Sequence, residues 1–113
     1  NENIILCERG IRTFETATRN TLDLNGVVYA KTKTNLPIIV DPSHAVGISA
    51  LVPQISYAAA AAGADGIIVE VHPKPSEALS DGPQALTFDK FNIMMKQLEK
   101  VLAAFDKKLN TSV

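Results

Sequence analysis

Three apolar runs punctuate the chain, and each breaks off at polar residues. Ile4-Ile5-Leu6-Cys7 runs into Glu8-Arg9-Gly10, Ile38-Ile39-Val40 into Asp41-Pro42-Ser43-His44, and Ile67-Ile68-Val69 into Glu70-Val71-His72-Pro73. Short continuous runs rich in β-branched residues predict buried parallel strands that leave the core for a loop. The C-terminal edge of such strands is where α/β folds bind ligands. Arg9, His44 and Glu70 all fall at that edge. Alternation along the first strand puts Cys7 on the same side as Arg9, one layer deeper, as a packed core thiol rather than a nucleophile.

Between these runs the periodicity changes to that of helices. Leu24, Val27, Val28 and Lys31 share a helical face, with Asn20 or Thr21 as the cap and Asp23 in the first turn. Gly26 weakens that helix. The segment from 10 to 21 reads as a long loop with one helical turn, and Ala45-Val46-Gly47 as another loop. Leu51, Val52, Ile55, Ala59 and Ala62 give a second stripe, with Ser49 as its cap, Pro53 in the first turn and Gly63 as a left-handed stop. A long loop from Lys74 to Ala85 follows, of a length that suggests function. Thr87 then caps a last helix whose stripe is Phe88, Phe91, Met94, Met95, Leu98, Val101, Leu102 and Phe105. Asn110 to Val113 read as a frayed tail.

The pattern is βαβαβα, with strand starts at residues 4, 38 and 67. This predicts a parallel sheet with right-handed crossovers. It fits either a piece of a (βα)8 barrel or a small open doubly wound sheet. A whole barrel takes about 250 residues, and 113 residues supply three units.

Composition narrows the function. Net charge is -1, so no basic face argues for nucleic acid or an anionic membrane. The apolar runs are far too short to span a bilayer, and the first residues show no signal-peptide pattern. One cysteine excludes an internal disulfide and fits a reducing compartment, the cytoplasm. The Asn110-Thr111-Ser112 sequon is a chance match in such a chain.

His44, Glu70 and Asp81 offer one imidazole and two carboxylates at or beyond strand ends. Mixed nitrogen and oxygen donors suit a divalent Mn, Fe, Co or Zn ion. Asp81 equally suits a turn in Ser80-Asp81-Gly82-Pro83, and His72 competes for the ligand role. Glu70, at the end of an apolar strand, needs a partner, a proton or a metal. Arg9 is either a salt-bridged strand-end arginine or a guanidinium that grips phosphate or carboxylate. No glycine-rich nucleotide fingerprint follows any strand.

Four motifs in order carry a family resemblance: Cys7-Glu8-Arg9-Gly10-Ile11-Arg12-Thr13, Asp41-Pro42-Ser43-His44-Ala45, Val69-Glu70-Val71-His72-Pro73 and Leu79-Ser80-Asp81-Gly82-Pro83. Together they resemble 3-deoxy-D-arabino-heptulosonate 7-phosphate (DAHP) synthases of the microbial type I-beta subgroup, from about residue 3 to 102. The 3-deoxy-octulosonate 8-phosphate synthases are close relatives. Arg12-Thr13-Phe14-Glu15 and Pro42-Ser43-His44 favour the heptulosonate side.

The resemblance implies a (βα)8 barrel of which residues 1–113 form the C-terminal part, strands six to eight, with 105–113 as a tail. It implies a synthase that joins phosphoenolpyruvate to erythrose 4-phosphate at the first step of the shikimate pathway. It assigns His44, Glu70 and Asp81 to a divalent metal, His44 and Glu70 to catalysis, and Arg9 with His44 to substrate. The family's fourth metal ligand, a cysteine on the first strand, has no counterpart here, and Cys7 occupies the sixth-strand position instead. The chain is therefore expected to be inactive alone and to pair with a second copy or with the missing barrel segment.

Overall fold

In the computed structural model, residues 1–110 are described. Three strands form one parallel sheet in chain order: β1 (Leu6–Glu8), β2 (Ile38–Val40) and β3 (Gly66–Ile67). Leu6 pairs with Ile38 and Glu8 with Val40, while Val40 pairs with Ile67. The helices are α1 (Leu24–Lys31), α2 (Pro42–Val46), α3 (Val52–Ala61) and α4 (Phe88–Ala104). The parallel α/β sheet follows the sequence reading, but the order is βαβααβα, because α2 stands between β2 and α3.

The core lies under β2. Val40 is fully buried and shares a cluster with Val27, Ile38 and Ala59. A second cluster joins α3 to α4 through Val46, Val52, Ala60, Leu86, Met94 and Leu98. Small alanines on α3 let that helix serve both clusters. Fully burying a side chain such as Leu86 or Met94 stabilises the fold by about 1.5–3 kcal/mol.

Several expectations need correction. β1 begins two residues later than the apolar run and is not buried, because among the described residues it has only β2 as a neighbour. Ile5 is 63% exposed, and Cys7 is exposed rather than a core thiol. α1 is capped not by Asn20 or Thr21 but by Asp23, whose side chain accepts from the Gly26 N–H at 2.8 Å. The residues before it form no helical turn. Ile11 and Thr21 instead exchange backbone hydrogen bonds at 2.8 Å.

The stretch after His44 is not a loop. Asp41 caps a short helix there, Pro42 starts it with a φ already suited to a helix, and Gly47 closes it at φ 68°. Ser49 makes no side-chain cap bond and opens a 3-10 turn, Ser49–Leu51, ahead of α3. Gly63 does stop α3 in the left-handed region. On α4, Thr87 caps the helix as expected, but Phe88 and Phe105 at the ends of the stripe stay exposed. Of the expected tail, Thr111 to Val113 and most of the sequon lie outside the described residues.

Beyond β3 the chain makes an excursion and returns. The Leu86 N–H donates to the Glu70 carbonyl at 2.9 Å, and the His72 N–H donates to the Leu86 carbonyl at 2.9 Å. Leu86 is fully buried. The polar loop between them therefore has a fixed neck, and it carries two 3-10 turns, Pro75–Glu77 and Gly82–Gln84.

Candidate metal centre

The site is built from the residue between β2 and α2. Asp41 is 5% exposed. Its Oδ1 accepts the His44 backbone N–H at 3.0 Å, the ordinary duty of an N-cap. Its Oδ2 lies 2.6 Å from His44 Nδ1. A carboxylate only accepts, so Nδ1 carries the hydrogen, and in the neutral ring the lone pair is on Nε2.

His44 Nε2 faces two carboxylates, Asp81 Oδ2 at 3.4 Å and Glu70 Oε1 at 3.9 Å. The donor atoms of His44, Glu70 and Asp81 lie within 4.8 Å of one another. One neutral imidazole nitrogen and two carboxylate oxygens at this spacing fit a divalent transition metal. The free lone pair on Nε2 points to the same use.

Each carboxylate is held by its own local structure. The Glu70 N–H donates to the hydroxyl of fully buried Ser43 at 3.0 Å, while the Glu70 carbonyl is bonded to Leu86. Asp81 sits at φ 57° and ψ 20°, a left-handed conformation that costs a non-glycine residue energy. Gly82 follows because a Cβ there would meet the Pro75 carbonyl oxygen at 2.6 Å. A short turn thus aims Asp81 back at His44.

The other candidates sort differently. His72 does not join the cluster: its Nδ1 accepts the Lys74 N–H at 2.9 Å. Arg9 reaches the site's edge, with Nε 3.6 Å from Asp41 Oδ2 and 61% of its side chain exposed. Glu8 turns back to accept the Gly10 N–H at 2.7 Å. Desolvation, and then the Asp41 carboxylate, push the Cys7 thiol upward, so it stays a thiol.

Sequence reasoning missed Asp41, Ser43 and Gln84. Asp followed by Pro is a helix-start signal, and it identifies Asp41 as a cap with a carboxylate oxygen to spare. Ser43 and Gln84 carry no such signal. Gln84 is buried and accepts from Arg19 at 3.2 Å, bracing the loop that carries Asp81.

The sequence matches the DAHP synthetase I family over residues 1–105. The chain belongs to that family. It is 54% identical over 110 residues to a phospho-2-dehydro-3-deoxyheptonate aldolase of Thermotoga maritima, covering 97% of this chain and 32% of that protein. It is 35% identical to a 2-dehydro-3-deoxyphosphooctonate aldolase of Francisella philomiragia, covering 95% of this chain and 43% of that protein. A solved truncated form of 3-deoxy-D-arabino-heptulosonate 7-phosphate synthase from Thermotoga maritima superposes with a TM-score of 0.95 at 55% identity, over 97% of this chain and 42% of that one. The chain spans about a third of the length of that Thermotoga relative. Among its described residues, no helix is long and apolar enough to cross a membrane.

Proposed function

We propose that this chain is part of a DAHP synthase, in which phosphoenolpyruvate condenses with erythrose 4-phosphate at the entry to the shikimate pathway. The observation that carries this reading is the convergence of His44 from α2, and of Glu70 and Asp81 from the segment after β3, on one point at the sheet's C-terminal edge. Membership of the DAHP synthetase I family supports it. The higher identity to the heptonate enzyme than to the octonate enzyme favours the four-carbon sugar phosphate.

In this reading the three strands are the sixth to eighth of a (βα)8 barrel, completed by strands from outside this chain, without which the chain is inactive. His44 through Nε2, Glu70 and Asp81 hold a divalent Mn, Fe, Co or Zn ion. Such an ion supplies Lewis-acid polarisation of the sugar aldehyde. Arg9 binds the phosphate of phosphoenolpyruvate with its guanidinium fork. C3 of phosphoenolpyruvate forms the new bond to the aldehyde carbon, water adds at C2, and phosphate leaves with cleavage of its C–O bond. The single thiol and absence of disulfides suit the cytoplasm.

The test is phosphate release by the protein that carries this chain, given phosphoenolpyruvate with a four-carbon or a five-carbon aldose phosphate. A heptulosonate is three carbons plus four, and an octulosonate three plus five. Turnover with erythrose 4-phosphate, abolished by a chelator and by His44→Ala, is expected. Turnover confined to the five-carbon sugar would overturn the assignment.

A further inference from the structure

Asp41 touches both halves of the site. Its Oδ2 alone meets His44 Nδ1 at 2.6 Å and Arg9 Nε at 3.6 Å. The carboxylate is 8% exposed, so water competes little for it. Its other oxygen is committed to capping α2. One buried oxygen is thus shared between the imidazole that faces the metal donors and the guanidinium that faces solvent.

We propose that Asp41 is a positioning residue that fixes His44 with Nε2 free for metal, and that its shared Oδ2 couples anion binding at Arg9 to metal binding at His44. This rests on the metal reading of His44, Glu70 and Asp81. The first part follows from hydrogen-bond chemistry. A carboxylate at Nδ1 permits only the tautomer whose lone pair is on Nε2, and it holds the ring plane toward Glu70 and Asp81. The second part follows from charge. A guanidinium whose charge is partly neutralised by an arriving anion attracts Oδ2 less, and Oδ2 then bonds His44 more strongly. Coupling of this kind is reciprocal: metal at His44 tightens the anion by the same factor.

Asp41→Asn separates the alternatives because the amide keeps the cap through its oxygen and turns an N–H toward His44 Nδ1. Nitrogen-15 NMR of the metal-free protein that carries this chain reads which ring nitrogen bears hydrogen. Wild type is expected to show Nδ1–H at His44, and Asp41→Asn to show Nε2–H with Co2+ affinity reduced about 10–100-fold. Inorganic phosphate is expected to tighten Co2+ about fivefold in wild type and to have no effect in Arg9→Ala or Asp41→Asn. His44 remaining Nδ1–H in Asp41→Asn, with Co2+ affinity within about twofold of wild type, would overturn the positioning role. A phosphate effect absent from wild type, or surviving in Arg9→Ala, would overturn the coupling. Asp41→Ser, which retains a capping hydroxyl but offers His44 Nδ1 no carboxylate, is expected to lose the fixed Nδ1–H and the phosphate effect, and serves should the asparagine variant fold poorly. If His44→Ala leaves Co2+ binding intact, the metal assignment itself fails, while the metal-free tautomer measurement still decides whether Asp41 sets His44.

Discussion

The backbone N–H of Glu70 and the hydroxyl of Ser43 meet at 3.0 Å, joining the segment after β3 to the first turn of α2. Ser43 is fully buried. The bond fixes the backbone of one metal-site carboxylate against the helix that carries the imidazole. Ser43→Ala deprives the Glu70 N–H of this acceptor and is expected to cost about 1–3 kcal/mol of stability. Denaturant unfolding measures it, and metal titration should show weaker binding in parallel. A variant as stable as wild type would mean that Glu70 finds another acceptor.

The three proposed ligands and the rejected fourth make a matched set. His44→Ala and Asp81→Ala are expected to remove tight metal binding and metal-dependent turnover. His72→Ala should change metal affinity by less than about threefold, because its ring is engaged with Lys74 outside the cluster. Metal content of the purified variants checks this, and loss of metal from His72→Ala alone would exchange the two histidines.

Arg9 is more exposed than a strand-end residue in a barrel mouth is expected to be. On the proposed function, Arg9→Ala is expected to cost about 1.5–3 kcal/mol in phosphoenolpyruvate affinity, the range for hydrogen bonds to charged groups. Arg9→Lys keeps the charge but not the fork, and is expected to fall between. KM values measured separately for the two substrates check it, and a defect confined to erythrose 4-phosphate would move Arg9 to the other phosphate.

Asp65 gives a pH-dependent term away from the site. Its carboxylate accepts from Lys31 Nζ at 2.7 Å and from the Ile38 N–H at 2.8 Å, and these bonds, the lysine first, hold its pKa below the ordinary 3.8. The folded state therefore favours the ionised form. Its contribution is complete above the unfolded pKa and is lost as pH falls through the lower folded value. The Tm gap between wild type and Asp65→Asn should be constant well above the ordinary 3.8 and close as pH falls below it. A gap that widens on acidification would contradict this.

The apolar runs and the helical stripes made the alternation of elements legible, since burial dictates both. Arg9, His44, Glu70 and Asp81 were legible as chemistry, because a carboxylate or imidazole at the end of an apolar strand needs a reason. What stayed hidden was set by neighbours. Cys7 looks like a core residue until β1 proves to have one partner strand among the described residues. Asn20 looks like a helix cap, but its amide donates to the His44 carbonyl instead, at 3.2 Å. Asp41 reads as the residue where a strand enters a loop, and only the position of the imidazole three residues on reveals the use of its second oxygen.

The paired bonds of Leu86 to Glu70 and His72 make the polar excursion a noose with a pinned knot. Asp81 is aimed by the knot and by the Gly82 turn, not by the length of the rope. The rim, where Leu79 is fully exposed, is free of that duty. Lengthening such a rim costs only logarithmically in closure entropy. Residues 76–79 are therefore the place where the approach to His44 can be narrowed, widened or recharged while the three donors keep their spacing.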